Sequence, residues 1–403
     1  MHYRYVIVGG GVAAAAAIEG IRAHDADGSI LLFSRENHLP YRRSPLTKEL
    51  WTGAMKLEDL AIHPEGWYAE RHVDVRLRRE IVELDSEHKI LWDDRGDTVG
   101  FDHCLIVTGC RPRRLQAAGA DGHAVRYFRA LEDFLNLEAA LEHVQHVTTL
   151  GGGFVAIELA ATLRERGKEV TMIFPEEWPL HRILPRELGL AVVDYLRGME
   201  IETVSGETLV EIVDEGNGIV RGRTYGNNTL NTQLVLVDQG AEPNVDLAEA
   251  ANLDTDDGVV VDEYGRCSRP GFWAAGDVAE FPYLALGQLE RVEGADHAQR
   301  HGYCVGANMA GAATPYTHLP LKWFRIGEQQ FEGVGELHAR LDTEMVWVEE
   351  GREGIVFYLR DDVVRGVLLC NAPERLEWAR ALVFEGRVMD HAERVASIGA
   401  AKA

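Results

Sequence analysis

The stretch Tyr5-Val-Ile-Val-Gly-Gly-Gly-Val-Ala-Ala14 joins a short apolar run to three glycines and an alanine-rich run, which makes sense only as strand, tight turn and helix. The first glycine permits the turn, the second lets backbone approach a pyrophosphate, and the small Ala14 lets the helix pack closely on the sheet. The helix N-terminus then faces an anion. One such loop says little, because glycine-rich turns are common. A second copy constrains the chain far more: Val147-Thr-Thr-Leu-Gly-Gly-Gly-Phe-Val-Ala156 repeats the strand, the triplet and the small residue. Two dinucleotide sites follow, Gly9, Gly11 and Ala14 marking one, Gly151 and Gly153 the other.

At 403 residues the chain is too long for one ordinary core and suits two or three domains. A formal charge of −24 argues against nucleic acid or an anionic membrane as partner, because both would be repelled. The chain enters its first strand within a few residues of Met1, and no apolar run approaches the roughly 20 residues that span a bilayer. A cytoplasmic protein without a leader is the expectation. Cys104, Cys110, Cys267, Cys304 and Cys370 are scattered, with no CxxC or CxxxxC pair, which predicts buried unpaired thiols rather than a redox disulfide or a zinc cluster. His297 and His301 stand one helical turn apart without an evident third ligand, so no metal site is expected.

Along the chain, strand Tyr5–Val8, a helix from about Val12 to Ala23 and strand Ser29–Ser34 form a βαβ unit. A carboxylate usually meets the ribose at the end of the second strand. Arg35 stands there with Glu36 next; Glu36 is the candidate acceptor, while Arg35 can stack on or neutralise part of a cofactor. The proline-punctuated loop 37–48 carries Arg42, Arg43 and Lys48. Alternation from Val73 to Trp92 reads as an antiparallel meander, and Phe101–Thr108 as a buried strand that Gly109 and the following proline turn out of the sheet. A linker near Leu115–Ala130 and a helix around Leu131–Glu142 precede the second βαβ unit: Val147–Leu150, Phe154–Arg166 and Val170–Phe174. Pro175-Glu-Glu177 ends that last strand with carboxylates that favour a ribose hydroxyl and repel a 2′-phosphate, so NADH is preferred over NADPH. Further strands are Leu234–Val237 and Val259–Asp262. Phe272-Trp-Ala-Ala-Gly-Asp277 places at a strand end an aspartate that can accept from a flavin's sugar-alcohol hydroxyl or simply make a turn. Arg291–Asn308 reads as helix, Gly354–Arg360 and Val363–Leu369 as a hairpin around Asp361-Asp362, and Glu374–Val383 as a closing helix.

Two glycine loops, Thr108-Gly-Cys-Arg-Pro-Arg113 and a late Gly276-Asp277, in this order, resemble the two-dinucleotide flavoproteins related to glutathione reductase. Leu39-Pro-Tyr-Arg-Arg-Ser-Pro-Leu-Thr-Lys-Glu-Leu-Trp51, Phe174-Pro-Glu-Glu, Ile183-Leu-Pro, Arg291-Val-Glu and Gly354–Asp361 are most similar to apoptosis-inducing factor-like proteins and to bacterial oxygenase ferredoxin reductases. The resemblance implies an α/β fold with two Rossmann-like domains: FAD over 1–115 and 243–318, NAD(H) over 116–242, and an α+β interface domain over 319–403. It implies Gly9, Gly11 and Ala14 at the FAD pyrophosphate, Arg43 and Lys48 along the flavin, Val82 at the adenine, Thr108 and Gly109 near the pyrophosphate, and Asp277 at the ribityl chain, with His297 on the flavin side. Gly151, Gly153, Glu176 and Gly240 would hold NADH. Phe154 would lie where nicotinamide stacks, Glu158 opposite Lys48, and Trp323 near the flavin. A lysine there would stabilise charge as hydride arrives, and a carboxylate would keep it protonated; a purely structural ion pair is the alternative. The sequence departs from the family at Gly294, where apoptosis-inducing factor has histidine, at Arg35, and at Asp238 and Gln239, where smaller, less polar residues are usual.

The implied activity is that of an FAD-dependent NADH oxidoreductase without a redox disulfide, passing electrons to a ferredoxin- or rubredoxin-type protein, quinone or oxygen. Arg111, Arg113, Arg114, Arg126 and Arg129 are candidates for a basic patch facing an acidic protein partner. The alternative is a redox-responsive protein whose NADH-reduced charge-transfer complex controls homodimerisation or partner binding.

Overall fold

The computed structural model describes residues 1–398. The architecture is mixed α/β, and the chain divides into two compact units, each made of three segments. The first comprises Met1–Arg43, Lys56–Arg111 and Glu242–Leu321; the second comprises Ser44–Met55, Pro112–Ala241 and Lys322 onward.

In the first unit the opening strand His2–Val8 lies between Ile30–Ser34 and Thr98–Ile106, parallel to both. Its side chains from Tyr5 to Val8 are buried on both faces, as expected for a central parallel strand covered by helices. Helix Val12–His24 packs on helix Ala295–Met309 at very short range. A Cβ on Gly302 would lie 2.4 Å from the Ala13 carbonyl oxygen, and one on Gly306 2.2 Å from that of Ala17. The alanine run thus serves a backbone-to-backbone helix crossing as well as contact with the sheet.

Three readings from sequence change here. Strand Val73–Leu77 pairs in parallel with Ile30–Ser34, and only Ile81–Asp85, Ile90–Asp93 and Thr98–Ile106 form the antiparallel part. Alternation reports that one face of a strand is buried but not the direction of its partner. Arg291 closes the strand Gln288–Arg291 instead of opening a helix; Gly294, with φ +151°, breaks the chain before Ala295. The expected linker 115–130 contains strand Val125–Tyr127, which forms the parallel edge beside Leu234–Val237. Its three residues are too few to show a period.

The second unit holds a five-stranded parallel sheet in the spatial order Glu202–Ser205, Glu169–Phe174, His146–Leu150, Leu234–Val237, Val125–Tyr127. It also holds a five-stranded antiparallel sheet built from Leu321–Ile326, Gln329–Gly335, Val363–Cys370, Glu353–Arg360 and Asp342–Glu349. The hairpin expected around Asp361 and Asp362 is present, with both residues at positive φ (53° and 60°), the two-residue turn that suits the twist of paired strands. Helix Leu376–Glu385 packs on this sheet.

Candidate functional site

The first glycine loop sits where His2–Val8 ends and helix Val12–His24 begins. Gly9 has φ +123°, and a Cβ there would lie 2.2 Å from the Val107 carbonyl oxygen, so only glycine fits. Gly11, the helix N-cap, has no heavy atom within 4 Å of its Cβ position. This open face, lined by first-turn amides, has the chemistry to take a diphosphate. Ala14 is fully buried one turn further on.

Glu36 follows the second strand and accepts from Tyr41 Oη at 2.7 Å and from the Arg43 guanidinium at 2.5 Å. Burial alone would raise its pKa, but the Arg43 charge and these two hydrogen bonds outweigh burial and hold the carboxyl below its ordinary range. Each oxygen keeps a lone pair for a ribose hydroxyl. Arg43, expected along the flavin, forms an ion pair with Glu36, the expected ribose acceptor, so the two residues form one cluster. Val82 is 59% exposed on strand Ile81–Asp85. The Thr108 hydroxyl donates to the Asn244 carbonyl at 2.9 Å, and Asn244 Nδ2 donates back to the Thr108 carbonyl at 2.8 Å. That exchange holds Gly109 at φ +65° with open space at its Cβ position. Asp277 lies in the short 3₁₀ turn Gly276–Val278 and accepts from the Gly294 N–H at 3.3 Å.

His297 and His301 are buried together among Phe281 and Tyr316. His297 Nδ1 lies 3.0 Å from Tyr316 Oη, and His301 Nδ1 accepts from the Gly276 N–H at 3.3 Å. Both Nε2 atoms are buried without a protein hydrogen-bond partner. Burial pushes the His297 pKa down to about 4 and that of His301 well below its ordinary value, so both rings are neutral at pH 7. Orphaned buried nitrogens of this kind suit a polar cofactor edge.

In the second unit, Gly151 repeats the Gly9 geometry, with φ +122° and a Cβ position 1.7 Å from the Asp238 carbonyl oxygen. Gly153 caps helix Phe154–Glu165. Glu176, past the end of Glu169–Phe174, lies 3.3 Å from His181 Nδ1, and Glu177 pairs with Arg186. Gly240 turns at φ +83°.

Lys48 and Glu158 form a buried ion pair, Nζ to Oε1 2.7 Å. Thr47 Oγ1 donates to Glu158 Oε2 at 2.7 Å and the Arg325 N–H to Oε1 at 3.3 Å, so three donors converge on one carboxylate. Burial pushes the Glu158 carboxyl up, while Lys48, Thr47 and Arg325 pull it down; burial wins. The Lys48 ammonium lies 4.0 Å from the centre of the Trp323 ring, a cation–π contact. Phe154, at the head of the same helix as Glu158, packs 4.9 Å from Phe324, which stacks on Phe331. Lys48, Glu158 and Trp323 therefore meet, with Phe154 against the strand that carries Trp323. Thr47, second donor to Glu158, was missed from sequence, although its place beside Lys48 was the available signal.

None of the five cysteines is joined in a disulfide among the described residues; Cys104, Cys110 and Cys370 are buried, while Cys267 and Cys304 are partly exposed. Burial raises the thiols of Cys104 and Cys370 to about 12, far from nucleophilic. Cys110, Asp277 and Glu293 cluster closely enough for a metal, but Arg291 Nη1 already reaches Cys110 Sγ at 3.3 Å and Glu293 Oε1 at 2.9 Å. Of the expected basic patch, Arg111 is bound to Glu242 at 2.7 Å and to Asp246, so it presents no free charge.

The chain matches the model of the pyridine nucleotide-disulphide oxidoreductase family over residues 3–302. It is 30% identical to "Apoptosis-inducing factor 1, mitochondrial" of Dictyostelium discoideum, over 96% of this chain and 79% of that one. It is 32% identical to the ferredoxin–NAD(+) reductase component of the p-cumate 2,3-dioxygenase system of Pseudomonas putida, covering 96% and 94%. The crystal structure of the ferredoxin reductase for the CYP199A2 system from Rhodopseudomonas palustris superposes with a TM-score of 0.91 at 28% identity, covering 98% of this chain and 100% of that one.

Proposed function

The chain belongs to the pyridine nucleotide-disulphide oxidoreductase family, and we propose that it is an FAD-dependent NADH oxidoreductase that delivers electrons to a small ferredoxin- or rubredoxin-type protein. The observation that carries this reading is the duplicated cradle: Gly9 and Gly151, at φ +123° and +122°, each turn against the backbone carbonyl of a neighbouring strand end. A flavin bound there would supply acceptance of a hydride from reduced nicotinamide, the two electrons passing on to the acceptor and the proton to solvent. Gly9, Gly11 and Ala14 seat the FAD diphosphate in a domain over 1–115 and 243–318. Glu36 takes the ribose, Val82 lines the adenine, Thr108 and Gly109 flank the diphosphate, and Asp277 and His297 meet the sugar alcohol and ring side. Gly151, Gly153, Glu176 and Gly240 hold NADH in a domain over 116–242.

Lys48 offers a positive charge whose position is held by Glu158 and by the Trp323 face, and Glu158 keeps the ammonium protonated. Phe154 gates the nicotinamide position. Cys104 and Cys370 take no part as thiolates, because burial holds both protonated far above neutrality. The carboxylate of Glu176 disfavours a 2′-phosphate, so NADH is used before NADPH. We further assign residues 319–403 to a homodimer interface, and the protein to the cytoplasm; among the described residues no helix is long and apolar enough to cross a membrane.

Anaerobic titration of the FAD-loaded protein with NADH tests this reading. Bleaching of the flavin absorbance, followed by rapid reoxidation by a ferredoxin or rubredoxin, is expected. A protein that keeps no FAD, or whose flavin NADH leaves unchanged, refutes it. An air-stable long-wavelength band accompanied by a change in oligomeric state would instead favour a redox-responsive role.

A further inference from the structure

The two glycine loops share a backbone hydrogen-bonding pattern and differ at the residue that follows the neighbouring strand. In the first, Gly9 N–H donates to the Phe33 carbonyl, and Val107 N–H donates to the Val8 carbonyl. In the second, Gly151 N–H donates to the Ile173 carbonyl, and Asp238 N–H donates to the Leu150 carbonyl. Val107 and Asp238 therefore occupy the same topological position, and each puts its carbonyl oxygen against the first glycine of its loop. Where the first loop has a valine, the second has a carboxylate.

That carboxylate points into the loop. Asp238 Oδ2 accepts from the Ala156 N–H at 2.9 Å, the third amide of helix Phe154–Glu165. Oδ1 accepts from the Gly240 N–H at 3.4 Å. Gly153 lies directly beside it: a Cβ there would be 2.5 Å from Asp238 Oδ2, whereas the matching position at Gly11 is open for 4 Å. The N-cap Gly153 has no side chain to satisfy the helix, and no acidic residue stands in its first turn. Asp238 thus acts as a cap delivered from another strand, through a carboxylate side chain.

We infer that Asp238 is an internal anion competing for the diphosphate seat of the second glycine loop, and so sets how tightly this site holds its dinucleotide. This rests on reading the loop as the NADH site. A diphosphate approaching the amides of this helix must either swing the carboxylate off Ala156 N–H or sit beside a like charge. Both penalties fall on the phosphates alone, not on the adenosine. The first loop, with Val107 in the equivalent place, carries no such brake.

The test uses the full chain loaded with FAD and measures Kd by calorimetry for NADH, ADP-ribose and adenosine. Asp238→Asn keeps an acceptor for Ala156 N–H and removes the charge; Asp238→Val copies the first loop. Both variants are expected to bind NADH and ADP-ribose about tenfold more tightly, equivalent to about 1.4 kcal/mol, with adenosine unchanged. The gain should shrink as salt is raised, because screening weakens the repulsion. Unchanged or weaker binding of ADP-ribose by both variants, with wild-type binding intact, overturns the inference and leaves the NADH reading standing. Absence of NADH and ADP-ribose binding in the wild type and both variants defeats the NADH reading, and the inference with it.

Discussion

Removing Lys48 leaves Glu158 as a buried carboxylate with its ammonium partner gone. At an effective dielectric of about 20, unit charges 2.7 Å apart attract by about 6 kcal/mol before desolvation is counted. Desolvation offsets much of this, and breaking a buried pair typically costs about 3–5 kcal/mol because one charge stays behind unpaired. Glu158 retains the Thr47 hydroxyl and the Arg325 amide, which places Lys48→Ala near the lower end, about 3 kcal/mol. Glu158→Gln alone strands the ammonium instead. The double variant Lys48→Ala/Glu158→Gln buries neither charge and should lose less than the sum of the single variants, with a coupling of about 2 kcal/mol. Urea unfolding monitored by tryptophan fluorescence measures all four proteins. The pH dependence carries a sign. Glu158 has a raised folded pKa, so the stability tied to its proton is full below the unfolded value and is lost as pH rises through the folded one. Loss of Lys48, which lowers that pKa, raises it further, so the deficit of Lys48→Ala should be larger at pH 8 than at pH 4. A loss below about 0.5 kcal/mol together with additive single variants would refute the reasoning.

On folded protein, Lys48→Ala should slow bleaching of the flavin by NADH by about 100-fold in stopped flow; unchanged kinetics would reduce the pair to architecture. Gly9→Ala places a Cβ 2.2 Å from the Val107 carbonyl at φ +123° and should not fold, whereas Gly11→Ala meets open space and should fold while losing FAD on gel filtration. Full FAD retention by Gly11→Ala contradicts the assigned seat. His297, lowered to about 4, supports stability above the unfolded value near 6.5 and loses that support as pH falls toward 4. Urea midpoints of His297→Phe should accordingly fall less steeply than wild type between about pH 6.5 and pH 4.

What the sequence determines by itself is what local chemistry encodes. Two runs of apolar residues ending in Gly-Gly-Gly and continuing in alanine-rich or mixed apolar helix can form little except strand, turn and helix. The elements His2–Val8, Val12–His24, His146–Leu150 and Phe154–Glu165 were accordingly legible to within a residue or a few. Strand direction was not: Val73–Leu77 alternates like a meander strand yet pairs in parallel, because alternation encodes a buried face and not a partner. Nor could Arg291 be separated from the helix after it, since Gly294 stops the helix through a φ of +151° that composition does not display. Resemblance set Glu158 opposite Lys48, but no pattern of spacing could bring Lys48, Glu158 and Trp323 together, at sequence separations of 110 and 165. Only the tertiary structure decided that Glu158 is buried under three donors, that Glu36 is already bound to Arg43, and that Asp238 reaches the helix amide of Ala156. Charge and hydrogen bonding act through space at distances of about 3 Å, and the order of residues along a chain does not say which of them will come that close.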